Sequence, residues 1–166
     1  MDEAAVLRIV PAFGEPFLSH ARNLFREYAA TLEGFHRLPN FDLEVASLPS
    51  PYAPPGGRIL LAVSDEAENP DYVAGCVALR SLDRGVCEMK RLYVRPTFQR
   101  KGVGQKLVEA LIAEARSIGH ERMVLDTLPS MAEAHKLYVR FGFREIASYQ
   151  KSPIPGALFF ELRLRR

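Results

Sequence analysis

Residues 86–128 constrain the fold of this chain more than any other stretch. A strand predicted at 86–95 leads into Gln99-Arg-Lys-Gly-Val-Gly104. A stripe of helical period follows (Val103, Leu107, Val108, Leu111, Ile112, Ala115), and Gly119 ends it. The next apolar run, Met123-Val-Leu-Asp-Thr-Leu128, stops at Pro129. Strand, helix and strand in that order make a crossover, which sets its two strands side by side and parallel, with the helix against the sheet.

The flanking sequence supplies more of both elements. Residues 5–10 alternate as a strand, and Pro16 opens a helix with Phe17, Ala21, Leu24, Phe25, Tyr28, Leu32 and Phe35 on one face. A shorter helix is expected at 40–48, then a loop at 49–57, where six of nine residues are Pro or Gly. Strands follow at 58–64, 72–82 and 86–95, the last two joined by Asp83-Arg84-Gly85. Ser130 and Glu133 have capping-box spacing for a helix at 131–141 that Gly142 closes. Strands at 143–149 and 157–164 complete the chain, the latter with Leu158, Phe160, Leu162 and Leu164 on one face. The predicted order is β-α-α-β-β-β-α-β-α-β-β, an α/β (α+β) mixed sheet in a single domain over residues 5–164.

Composition removes several function classes. The 166 residues are 48% apolar and 25% charged, ordinary for a soluble fold, and a net charge of +2 argues against a nucleic-acid coat or a polybasic membrane anchor. No apolar run approaches the ~18 residues of a membrane span. Met1-Asp2-Glu3 is acidic where a leader would be basic, so a cytoplasmic location is expected. Two cysteines cannot build a disulfide framework or a zinc site. A hairpin turn centred on 83–84 would set Cys76 opposite Arg91 and Cys87 opposite Arg80, so both read as small core residues. His20, His36, His120 and His135 lack metal-ligand spacing, and His120 and His135 read as surface residues.

The chemistry points to the turn. Residues 89–108 include Lys90, Arg91, Arg95, Arg100, Lys101 and Lys106 and no acid. A helix start offers unpaired backbone N–H groups and a positive dipole end, and Gly102 and Gly104 admit a phosphate where a β-carbon would intrude. The P-loop pattern is absent, and the dinucleotide fingerprint would need a glycine at 107, which is Leu. Tyr93 and Phe98 are the run's only aromatic residues, so base stacking is poorly served and nucleic acid is not an expected partner.

Gln99, Gly102 and Gly104 match [QR]-x-x-G-x-[GA]. Ala134-x-x-Leu137-Tyr138-x-x-x-Gly142-Phe143 matches A-x-x-L-Y-x-x-x-G-F. With Leu92-Tyr-Val-Arg-Pro96 leading into the turn, the chain resembles the GNAT superfamily of acyl-CoA-dependent N-acyltransferases over nearly its whole length. The resemblance implies that strands four and five splay around acetyl-CoA, the cosubstrate, with no metal. Backbone groups of Leu92 and Val94 would bond the pantetheine amides. The motif's Gln99 and the N–H groups of Arg100, Lys101, Gly102, Val103, Gly104 and Gln105 would form the diphosphate turn. Met131 stands where many members carry an asparagine facing the cofactor.

By the same resemblance, Tyr138 would be the acid for the departing thiolate; on its residues alone it equally fits an apolar helix stripe. Glu88, eleven residues before Gln99, would be the general base, directly or through water. It could instead pair with Lys90 or with an arginine across the hairpin. Asp126 either binds the acceptor or caps a loop. The acceptor, a primary amine of a small molecule, protein or peptide, would be framed by the early helices, the 49–57 loop with Tyr52 and the 148–156 loop with Tyr149. A homodimer stays open, because exposed terminal strands in such folds often pair. The alternative function is an acyl-CoA-binding regulatory module with little or no catalysis.

Overall fold

The computed structural model describes residues 6–32, 38–64 and 72–165; Phe35 and His36 lie outside them. In chain order the elements are β1 (Arg8–Pro11), α1 (Phe17–Thr31), α2 (Phe41–Ser47), β2 (Arg58–Val63), β3 (Val73–Asp83) and β4 (Val86–Val94). A single 3₁₀ turn (Pro96–Phe98) precedes α3 (Val103–Ile118), β5 (Arg122–Thr127), α4 (Ala132–Phe141), β6 (Arg144–Ile146) and β7 (Leu158–Arg163). This is the predicted order, laid out as one seven-stranded sheet, β1-β2-β3-β4-β5-β7-β6. Among the described strands only β4 and β5 run parallel, as the crossover through α3 requires.

Each face of the sheet has its own core. The α3 stripe read from the sequence is buried throughout and packs with Leu60, Leu79, Met89, Leu125 and Phe160, alongside Leu137 and Tyr138 of α4. The opposite core joins Leu24 and Phe25 of α1 and Val45 of α2 to Leu61, Val63, Cys76 and Tyr93. Gly119 and Gly142 close α3 and α4 in left-handed conformations, at φ +106° and +96°, which explains why the chain uses glycine there.

Three local expectations fail for physical reasons. The capping box does not form: a turn bonded from Met131 N–H to Leu128 O makes Met131 the N-cap, with no side-chain cap bond. Glu133 then lies at the second helical position, where it cannot reach back to the cap. The β3–β4 register is also displaced. Gly85 adopts φ +70° within an Arg84-Gly85 turn, and the ladder slips between Ser81 and Asp83. Cys87 therefore faces Ser81 and Cys76 faces Tyr93; both thiols are free and buried. Finally, His120 is only 6% exposed, its Nε2 lying 2.9 Å from Gly56 O, which ties the end of α3 to the 49–57 loop.

A bulge interrupts β4. Between Cys76↔Tyr93 and Ala78↔Lys90, β3 advances two residues and β4 three, and Arg91 takes φ +61°. A non-glycine residue there carries strain of about 1–2 kcal/mol. Glu44 of α2 compensates, receiving Arg91 Nε and Nη2 at 2.9 Å each, with the guanidinium 5.8 Å from the Phe41 ring centroid. Glu44→Ala would leave Arg91 a buried cation without its partner. Urea denaturation should show a loss of about 3 kcal/mol; a loss within about 0.5 kcal/mol, the scale of an ordinary surface change, would contradict this role.

Candidate functional site

Strands β4 and β5 pair at Val86↔Arg122, Cys87↔Met123 and Glu88↔Val124, and no further. Beyond Glu88 they part, leaving a gap that opens toward the start of α3. Arg95 N–H donates to Ala74 O at 2.8 Å, so Arg95 bonds toward β3. Antiparallel alternation then turns the backbone groups of Val94 and Leu92 toward the gap. The Val94 carbonyl already accepts Gln99 Nε2 at 3.0 Å, so the Gln99 side chain braces the turn.

The turn itself is a row of open donors. Among the described residues, the backbone N–H groups of 100–105 have no hydrogen-bond partner, and the first helical bond runs from Lys106 N–H to Gly102 O at 3.1 Å. No acid lies in the first turn of α3, and no side chain caps it. Arg100 at φ +61° and Gly102 at φ +77° curl the backbone so that successive N–H groups converge, the geometry of an anion nest. Gly102 needs no β-carbon for space, since one there would meet nothing within 4 Å, but its φ favours glycine. A β-carbon on Gly104 would make only ordinary contacts, 3.6 Å to Leu137 and 3.8 Å to Val94. Nothing inside the protein demands glycine at 104.

The basic run is not one patch. Arg91 is held by Glu44, Arg95 by Glu27 at 2.8 Å, and Lys90 lies near Asp126, so three of its six cations face acids from distant elements. Arg100 and Lys101 are exposed beside the turn.

Tyr138 borders the gap. Its ring packs on Phe143 and Phe160 at centroid distances of 5.6 and 6.3 Å, and it lines a cavity of about 50 Å³ with Lys90, Leu92, Asp126 and Met131. Its hydroxyl has no hydrogen-bond partner among the described residues, and burial pushes the phenol up from its ordinary value. A raised phenol keeps its proton through neutral pH and can donate it to an anion. Met131 Sδ accepts a weak bond from Thr127 Oγ1 at 3.6 Å.

Glu88 is fully buried where the strands part. Its register partner Arg80 donates Nε to Oε1 at 2.7 Å, and the Tyr149 hydroxyl donates to Oε2. The pairing across the hairpin is therefore real, but the carboxylate is not at the surface, and the half-buried Tyr149 stands on one side of it. Among the described residues Asp126 caps no loop; it lines the cavity with its Oδ1 3.4 Å from Lys90 Nζ. Tyr52 departs from expectation. It is 1% exposed in the core, edge-on to Phe25, with its hydroxyl on Glu44 at 2.8 Å, so it reaches the cleft only through Glu44 and Arg91.

Several lining residues escaped the sequence reading. Tyr28 looked like one more member of the α1 stripe, yet it borders that cavity and a second, of about 40 Å³, that also meets Lys90 and Asp126. Lys90 and Thr127 lie there too. His135, expected at the surface, is half-buried, with Nε2 3.2 Å from Thr127 Oγ1 and its ring 5.8 Å from Phe160. Only its offset from the apolar stripe was visible in the sequence, and that offset does not tell water from a cleft.

Residues 20–143 match the acetyltransferase (GNAT) family. An uncharacterised N-acetyltransferase of Schizosaccharomyces pombe is 35% identical over 150 residues, 90% of each chain. The human N-acetylaspartate synthetase is 31% identical over 121 residues, which are 68% of this chain and 38% of the human one. In fold, the chain is similar to yncA of Salmonella typhimurium, solved with its cofactor acetyl-CoA. The TM-score is 0.71 at 22% identity, covering 96% of this chain and 94% of that one.

Proposed function

The chain belongs to the acetyltransferase (GNAT) family, and from that premise we propose that it moves the acetyl group of acetyl-CoA to a primary amine by direct attack in a ternary complex. One observation carries the reading. The six unpartnered N–H groups of 100–105 stand at the mouth of the gap that β4 and β5 leave after Glu88. A diphosphate suits the first and an extended amide-bearing arm suits the second. An amine acceptor also agrees with the name of the human relative, an N-acetylaspartate synthetase.

Bound acetyl-CoA would supply a thioester carbonyl open to an amine. The chain's own groups do the rest. Backbone groups of Leu92 and Val94 hold the arm, and an N–H of this strand stabilises charge on the carbonyl oxygen. The acceptor ammonium must first lose a proton. Glu88 is too deep to take it directly, and the Tyr149 hydroxyl, already donating to Glu88, is the relay: it accepts the amine proton as it passes its own inward. Tyr138 gives its proton to the leaving sulfur. Thiol and amide are the products; Tyr138 takes back, through water, the second proton that the attacking nitrogen loses as the amide forms, and Glu88 releases its proton to solvent through Tyr149.

Three measurements check this account. Acetyl-CoA should raise the melting temperature, and Gly104→Val should abolish the shift while Gly104→Ala keeps most of it, since a lone β-carbon finds room. A full shift in the valine variant would contradict the cofactor assignment.

Tyr138→Phe should lower turnover about 10²–10⁴-fold, read as thiol release, with little change in acetyl-CoA affinity. Because its phenol is raised, the wild-type rate should show no falling limb from this group below pH ~10, the free tyrosine value. Wild-type turnover in the variant would return Tyr138 to a packing role.

Glu88→Gln and Tyr149→Phe should both slow the reaction near neutral pH and both recover partly at high pH, where the amine is already free. A pH-independent loss in either would make that residue structural. A loss in Glu88→Gln alone would remove Tyr149 from the relay.

A further inference from the structure

The acceptor side of the cleft is a balanced set of charges. Arg80 holds Glu88 at 2.7 Å, and Arg91 holds Glu44 at 2.9 Å. Lys90 differs from both arginines. Its side chain is 15% exposed, yet its Nζ lies 3.4 Å from Asp126 and 4.0 Å from Glu88, longer than a well-formed charged hydrogen bond. A mostly buried ammonium with three donors and only loose acceptors has binding capacity to spare. It faces both small cavities of the cleft, of about 40 and 50 Å³.

The charge sum limits what enters. Three cations already face three carboxylates, so a plain ammonium would add an unmatched positive charge to a partly desolvated site. A zwitterion would not. Its ammonium can approach Asp126 while its carboxylate takes the donors of Lys90. Besides Lys90 and Asp126, the first cavity meets Arg91, held by Glu44, and Thr127; the rest of its wall, Tyr28, Leu32, Leu38, Leu128, Met131 and Ile154, is largely apolar. A charged side chain on the acceptor would find no unmatched partner there, since Glu44 already balances the charge of Arg91.

The geometry points to a free α-amino acid with an apolar side chain as the acceptor, its carboxylate bound by Lys90. This rests on acetyl transfer to an amine, as proposed above. The transfer forms an amide bond at the α-nitrogen and breaks the thioester C–S bond; the amine proton leaves through Tyr149, and the sulfur is protonated by Tyr138.

The test measures acetyl-CoA-dependent thiol release with L-leucine, isopentylamine (leucine without its carboxylate), L-leucinamide and L-aspartate. Leucine should exceed each of the others at least about 10-fold in kcat/KM, the scale of one charged hydrogen bond. Lys90→Met should lower kcat/KM for leucine by about 10-fold or more, mostly through KM, with no loss on isopentylamine, which the removed positive charge no longer opposes. Lys90→Arg should restore part of the leucine rate. An unchanged acetyl-CoA melting shift in Lys90→Met shows that the variant is folded. Equal rates with isopentylamine or leucinamide, or a preference for aspartate, overturn the amino-acid assignment and leave acetyl transfer standing. An equal loss on every acceptor in Lys90→Met overturns the role of Lys90 as carboxylate ligand. No transfer to any of the four contradicts both readings.

Discussion

Two parallel strands that pair for only three residues set up everything at this site. Had β4 and β5 stayed bonded to their ends, Leu92 and Val94 would have spent their backbone groups within the sheet. The Tyr138 ring would have no gap to border. Parallel strands joined by a helix normally bury both faces and continue their ladder, so a parting this early needs a cause. The bulge at Arg91 provides one, since an extra residue in β4 bends the strand and raises its local twist.

Two ion pairs with distant parts of the chain, the first largely buried and the second part-exposed, hold that distortion. Glu44 of α2 grips Arg91, and Glu27 of α1 grips Arg95 just before the turn, so the two early helices are tied to the strand that forms the gap. Such pairs add little net stability, because desolvation offsets much of their attraction. Their effect is on uniqueness: a slipped register would strand a buried guanidinium. The open N–H groups at 100–105 are different in kind. They lie at an exposed turn where water can satisfy them, so the fold tolerates them without a ligand and an anion can replace the water.

Element order, the parallel pair and the α3 face were legible because each rests on a periodicity that local sequence carries. Gly119 and Gly142 were legible because left-handed helix ends leave few other choices. What could not be read was position in the third dimension. Ser130 and Glu133 have capping spacing, but a turn upstream moved the helix start by one residue. The β3–β4 register depended on bulges that no residue type announces. Tyr52 sits in a loop expected to frame the acceptor, yet it is core, while Tyr28 reads as core and borders the cleft. Glu88 was singled out only through the family resemblance, by its distance from the turn; its full burial behind Tyr149 comes from a loop 61 residues downstream, beyond any local pattern.

Acetyl-CoA is proposed to bind along the N–H row at 100–105 and the gap-facing backbone of β4. Backbone amide chemical shifts during titration with CoA test it most directly. The account predicts that the largest changes fall on the amides of 100–105 and on Leu92 and Val94, with β1 unaffected. Saturable binding that leaves those amides unmoved would contradict it.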